Sequence, residues 1–230
     1  PAPTRMFWRP DKMICEYEVG GVILREEKFI AANDAAASII TASKPVTLQF
    51  EGHSFYHRNS VTSTAAIRFD ARNNTIVIRE GGAVKSRPDP DRGERIGPCV
   101  YHGMTTALSA SRDFTKTVSM RKDERGVQHY TFTVPCDAAG TVVSWAMHDD
   151  GRQAIGSARA IIAHHQPWLA AKTAEMNRQL NDEIPWFRCP DKRFVDIYYY
   201  LWALYLMYYI EVGQGWEQEA HTQTAVNNFL

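Results

Sequence analysis

Between Ile197 and Ile210 the chain carries no charged side chain, and six of these fourteen residues are tyrosines. A helix without a polar face has to be covered all round, by lipid or by other elements of a large fold. A spanning helix needs about 20 apolar residues, and tyrosine hydroxyls belong at the bilayer surface rather than in its middle. The run is too short and too rich in hydroxyls to span, so it reads as an inner helix of a large helical domain. Asp191 is suited to cap its start, and the pattern Glu211-Val-Gly-Gln-Gly ends it at Gly213. The expected helix covers 191–211.

Ahead of that helix the periodicity is different. Val46-Thr-Leu-Gln-Phe50 alternates as a half-buried strand does. Ala65 to Phe69 and Thr75 to Arg79 flank the polar turn Asp70-Ala-Arg-Asn-Asn74, which predicts a hairpin. Phe114 to Met120 and Val127 to Val134 flank Lys122-Asp-Glu-Arg-Gly126 and predict a second. Thr141 to Met147 adds a strand, closed by Asp149-Asp-Gly151, and the charged Ser86–Arg95 segment reads as an exposed loop. Such strands without helical patterns between them predict an antiparallel sandwich up to about residue 160. A helix at 166–182 follows, with Pro167 in its first turn and His164-His165 introducing it.

The net charge is zero and both halves are nearly balanced, so no strong field draws the chain to nucleic acid or to an acidic membrane. The opening Pro-Ala-Pro-Thr-Arg-Met has no apolar signal-peptide core. Cys15, Cys99, Cys136 and Cys189 lack CxxC spacing and read as buried free thiols, which leans to a reducing, cytoplasmic setting. His53 and His57 are spaced to share a metal on a helix, but their segment reads as strand and turn, which removes that geometry. Asp149-Asp-Gly lacks the ligand spacing of a calcium loop. The sequence holds no GxSxG, P-loop or HExxH pattern. No cofactor and no metal site is expected.

Three segments together resemble a known architecture: Ile184-Pro-Trp-Phe-Arg-Cys-Pro-Asp, Ile197-Tyr-Tyr-Tyr-Leu-Trp, and Val212-Gly-Gln-Gly-Trp-Glu with His221-Thr-Gln-Thr-Ala-Val-Asn-Asn-Phe-Leu. They look like the opening of the (α/α)6 barrel of bacterial glycoside hydrolases of the trehalase and processing α-glucosidase type. Gly21 to Ile30, Lys44 to Gly52 and Leu108 to Phe114 are similar to the sandwich that precedes such a barrel. The resemblance implies a β-sandwich followed by α-helices. The sandwich is antiparallel and supersandwich-like over 1–162, with a linker helix and connection at 163–190. The first helices of the (α/α)6 toroid lie at 191–230. It further implies an N-terminal portion of a glycosidase acting on an oligosaccharide or glycoside, through two carboxyl groups and by an inverting route, with its catalytic acids beyond Leu230. The alternative is a non-catalytic β-sandwich module that binds a glycan or a protein.

Sugar rings offer apolar faces to aromatic side chains and hydroxyls to amides and imidazoles. Trp216, His221, Gln223, Asn227 and Asn228 supply those groups within thirteen residues and are the candidate substrate-binding set. Against this, Trp216 is equally suited to a core position, His221 to a satisfied loop histidine, and the two asparagines to the polar side of a helix. Among Glu211, Glu217 and Glu219, Glu217 is the best candidate acid, because it follows Trp216 in a glycine-hinged loop. Each of the three also reads as a solvated loop acid. The aromatic 191–211 helix, left with too few neighbours, is expected to self-associate.

Overall fold

The structure, a computed structural model, describes residues 2–33, 35–54, 60–63, 65–84, 87–88, 95–96, 99–124, 126–207, 209–210 and 220–221. The chain divides into two compact units, 1–172 and 173–230. The first unit opens with a meander of β1 (Arg5–Trp8), β2 (Met13–Val19), β3 (Val22–Ala31) and β4 (Ala35–Ala42). The turn between β2 and β3 is Gly20-Gly21, both with positive φ, as a two-residue turn between right-twisted strands requires. Next come β5 (Val46–His53), β6 (Ser60–Ser63), β7 (Ala66–Asp70) and β8 (Thr75–Val84). Two short strands, β9 (Arg87–Pro88) and β10 (Arg95–Ile96), pair with each other. β11 (Cys99–Ala110), β12 (Ser119–Lys122), β13 (Gln128–Cys136) and β14 (Thr141–His148) complete the sheets.

The main sheet runs β1-β2-β3-β4-β14-β11-β8-β6, with β7 also paired to β8; a second sheet runs β12-β13-β5. Both are antiparallel in the registers observed. Alternation along the strands gives the main sheet two buried faces. On one, Ile76, Ile78, Leu108, Ala110 and Val143 meet Phe132 and Val134 of the second sheet, with Phe114 between them. The Phe114 and Phe132 rings stack with centroids 4.3 Å apart. On the other face Ala31, Ala35, Ala37, Ala107 and Ala146 receive the helix α1 (Gly151–Arg178) through Ala154, Ala158 and Ile161. Small residues on both sides let the helix lie close against the sheet. The sandwich expected from the strand spacing is therefore present, with a helical layer on its outer side.

The first predicted hairpin forms where expected, Asp70 pairing with Thr75 across its turn. The second forms with a shorter, later first strand: the Thr117 and Val118 N–H groups donate to the Phe114 carbonyl in a turn, and the strand starts only at Ser119, with Lys122 in the ladder opposite Gln128. The first turn also ties down a distant reversal. Asn74 adopts a left-handed backbone, and its side-chain nitrogen donates to the carbonyls of Ala110 and Arg112 while its oxygen accepts from Phe114 N–H. The Ser86–Arg95 segment contributes the β9–β10 pairing, and its remaining residues lie outside the described ones.

The helices depart from expectation in placement. The strands of the first unit end at His148, not near residue 160, because Asp149-Asp-Gly151 does not close a strand into a loop. Asp150 caps a helix: its side chain accepts Arg152 N–H at 2.8 Å and its carbonyl accepts Ala154 N–H at 3.0 Å. His164-His165 does not introduce that helix either. His164 is a kink inside it, with φ −138° and ψ 38°. Pro167 is the cause, since its ring excludes the carbonyl four residues back and it has no N–H to donate. The 166–182 helix is thus the second limb of a longer, bent one.

In the second unit α1 passes into a π-turn at Gln179–Glu183, where Arg178 pairs with Glu183. The helix α2 covers Lys192–Met207, ending four residues before the expected 211. Tyr209–Ile210, as β15, then pairs with Ala220–His221, as β16. Asp191 caps α2 as expected, accepting Arg193 N–H at 3.0 Å. Ala203 is buried, but Phe194, Ile197, Leu201 and Tyr205 line an exposed flank at helical spacing. Among the described residues no helix is long and apolar enough to cross a membrane.

The alanine seam gives a direct test of the fold. Ala158→Leu adds volume where Ala158 has no exposed surface, and is expected to cost about 1–3 kcal/mol. Urea denaturation should show a lower midpoint at unchanged slope; a midpoint equal to wild type would contradict the seam.

Candidate functional site

The sequence-derived sugar-binding set falls almost wholly outside the described residues. Trp216, Glu217, Gln223, Asn227 and Asn228 lie there, as do Glu211 and Glu219. His221 is placed by its backbone, opposite Tyr209 in the β15–β16 pair.

The connection into α2 is well defined. Tyr198 donates its hydroxyl to the Pro185 carbonyl at 2.6 Å, and its ring stacks on Phe187 at 4.9 Å. The Arg188 guanidinium lies over Trp186 at 4.4 Å. The Arg193 guanidinium, with the Arg193 backbone N–H, holds the Asp191 carboxyl below its ordinary range. The Pro-Trp-Phe-Arg segment is thus an ordered aromatic strap onto α2.

Within the first unit, the outward face of the second sheet forms a hollow of about 530 Å3 lined by Glu51, Gly52, His53, Arg121, His129, Tyr130 and Thr131. Register explains the convergence: His53 lies opposite His129, and His129 opposite Arg121, so one residue from each strand forms a row. The imidazole centroids are 5.8 Å apart. Each ring is anchored through one nitrogen, His129 by Nε2 to the Asp123 carboxylate at 2.9 Å and His53 by Nδ1 to the Ser54 carbonyl at 2.8 Å. On the inward face of the same strands Tyr130 crosses Gly52 so closely that a Cβ there would clash with its hydroxyl. Burial pushes the Tyr130 phenol up. Among the described residues Glu51 is the acid in the lining, without the second carboxyl group that glycoside hydrolysis uses.

A second polar cluster lies on β2, β3 and β4. Glu26 accepts hydrogen bonds from Ser38 and from the Tyr17 hydroxyl at 2.8 Å, and pairs with Lys28 at 3.0 Å. Both carboxylate oxygens are therefore engaged. This is a structural carboxylate rather than an acid poised for proton transfer. Burial first, and then the Glu26 hydrogen bond and charge, push the Tyr17 phenol well up.

Cys15 and Cys136 are buried free thiols, as the spacing predicts, whereas Cys189 is half-buried. Cys136 donates to the Ile40 carbonyl at 3.3 Å, and burial raises its thiol. Among the described residues no group of three or more His, Cys, Asp or Glu is arranged to hold a metal ion. Sequence reasoning passed over the His53–His129 row. Its signal is the outward parity of His53 in Gln49-Phe-Glu-Gly-His and of His129 in Val127-Gln-His-Tyr, but parity alone does not pair two strands.

No protein-family model matches the sequence, and no curated protein matches it. Among solved structures it is similar to a protein described as a putative kojibiose phosphorylase from human microbiome. The identity is 10% and the TM-score 0.40, over 74% of this chain and 23% of that one. The chain thus spans about a quarter of that protein's length.

Tyr17 has a consequence for alkaline stability. Its proton is held more tightly in the folded state, so its contribution is complete below the unfolded phenol value of about 10 and is lost as pH rises above it. Tyr17→Phe is expected to flatten the fall of the denaturation midpoint above pH ~10 relative to wild type. Parallel wild-type and variant curves would refute this.

Proposed function

We propose that this chain is the N-terminal portion of a carbohydrate-active glycoside hydrolase. A β-sandwich and linker helix precede the opening of an (α/α)6 catalytic domain at 191–230. The observation that supports it is the order of elements around the aromatic strap: antiparallel sandwich, kinked helix, Pro-Trp-Phe-Arg connection and an apolar helix with an open flank. This is the order that the sequence resemblance implies. In the intact enzyme one carboxylic acid protonates the leaving oxygen while a second carboxylate activates water on the opposite face of the sugar. Trp216, His221, Gln223, Asn227 and Asn228 hold the glycoside, with Glu217 the candidate acid among them. The free thiols favour a cytoplasmic setting.

This chain alone is expected to show no turnover on a panel of aryl glycosides, because displacement at the anomeric carbon needs both carboxyl groups and a closed pocket. Binding of gluco-oligosaccharides, measured by calorimetry, should weaken roughly tenfold in Trp216→Ala, equivalent to about 1.4 kcal/mol. If the longest protein containing this chain hydrolyses no glycoside, the enzyme reading fails and the non-catalytic binding module stands instead.

We further propose that the flank of α2 made by Phe194, Ile197, Leu201 and Tyr205 drives self-association of this chain. Two of the four are aromatic, and aromatics bury about 150–250 Å2 each when covered, so with Ile197 and Leu201 the half-open flank amounts to a few hundred Å2, the size at which an apolar patch marks an interaction surface. Light scattering should give a dimer or larger species, and Ile197→Glu with Leu201→Glu should restore the monomer. A monodisperse wild-type monomer that binds no apolar dye would oppose it.

A further inference from the structure

We propose that the His53–His129 pair is a cross-strand binding site for a borderline divalent cation such as Zn2+. The hydrogen bonds decide which chemistry the two rings present. A carbonyl and a carboxylate only accept, so Nδ1 of His53 carries the proton donated to Ser54 O, and Nε2 of His129 carries the one donated to Asp123. In the neutral rings the other two nitrogens, His53 Nε2 and His129 Nδ1, are therefore lone pairs. An anion would need N–H donors at those positions, and the carboxylate of Glu51 in the same hollow also disfavours it. A metal ion needs what the rings offer.

Both histidines also carry the outer support typical of metal-ligating imidazoles, whose second nitrogen donates to a carboxylate or a backbone carbonyl. The spacing suits a shared ion. Metal–nitrogen bonds of about 2.0–2.1 Å at a tetrahedral angle place two imidazole centroids about 5 Å apart. The observed 5.8 Å is about 1 Å longer, a difference that a small side-chain displacement closes when the ion binds. Arg121 lies beside His129 and Glu51 is on the outward face of β5 with His53, so their charges offset in the hollow. That leaves imidazole bonding rather than net charge to select the ion. Zn2+, Cu2+ and Ni2+ suit imidazole, whereas Ca2+ and Mg2+ require oxygen donors. Water completes the coordination.

The test titrates Zn2+ into the whole chain, by calorimetry and by long-range proton–nitrogen spectra of the histidine rings. One saturable site is expected, with the His53 Nε2 and His129 Nδ1 resonances moving together. His53→Ala or His129→Ala should each weaken binding at least about tenfold, and Asp123→Asn about tenfold through loss of ring anchoring. Cys189→Ser should leave it unchanged. Zn2+ binding that survives both histidine substitutions, or ring nitrogens that do not respond on the unaltered chain, would overturn the proposal. The spectra are read on wild type, so the conclusion does not depend on the folding of any variant.

Discussion

Covering the main sheet on both faces is the constraint from which the first unit follows. β4, β14 and β11 each give alternate residues to two different partners. In β4, Ala35 and Ala37 meet the helix, whereas Ile40 and Ala42 meet the second sheet's side. Apart from Met104 in β11 and Trp145 and Met147 in β14, which are exposed, little of these central strands is left for solvent, so their buried polar residues must be satisfied internally. They are. Thr75 and Ser109 share a hydrogen bond of 2.6 Å, Ser144 donates to the Ala36 carbonyl, and Thr141 donates to the Pro135 carbonyl. The second sheet has an outward face left over, and it carries the His53–His129 row, whereas the main sheet's Glu26 cluster sits towards its β2–β3 edge and reaches β4 through Ser38.

Local structure was legible in the sequence where two strands meet through a short polar turn. Asp70 to Asn74 and Lys122 to Gly126 have that form; the first produces the hairpin its alternation implies, and the second does so with its first strand beginning at Ser119, because Phe114 turns inward to stack on Phe132. The first limb of α1 was not legible, for a physical reason. Its buried positions Ala154 and Ala158 are too weakly apolar to draw a helical stripe, and its cap lies in Asp149-Asp-Gly, which serves a turn as well as a helix start. The second limb shows more clearly because Trp168, Leu169 and Met176 are large. Pro167 marks the junction of the limbs, which is why the sequence pattern starts a helix at 166.

The site was less legible than the fold. β5 and β13 pair directly although a long stretch of chain separates them, so nothing local announces that His53 will lie opposite His129. Asn74 also works over a gap, though a shorter one: a turn residue by sequence, it is the anchor for the reversal at Ala110 to Phe114. The candidate sugar contacts from Trp216 to Asn228 rest on composition and on resemblance. The aromatic strap from Pro185 to Tyr198 is what connects that reading with the described fold.

The alanine seam between sheet and helix also bears on how such a layer can change. A leucine or methionine interface loses side-chain rotamer freedom when it forms and can later absorb a substitution by rotating neighbours into new wells. Alanine has no such freedom to lose. The alanine part of the seam therefore forms at a low entropic cost, and its fit is carried largely by backbone shape. A larger residue at Ala37, Ala107 or Ala158 meets few neighbours able to turn aside, Phe29, Ile161 and Leu169 among them. Where those cannot absorb it, the helix or the strand itself must shift, so sequence drift in this layer favours coordinated changes in backbone position.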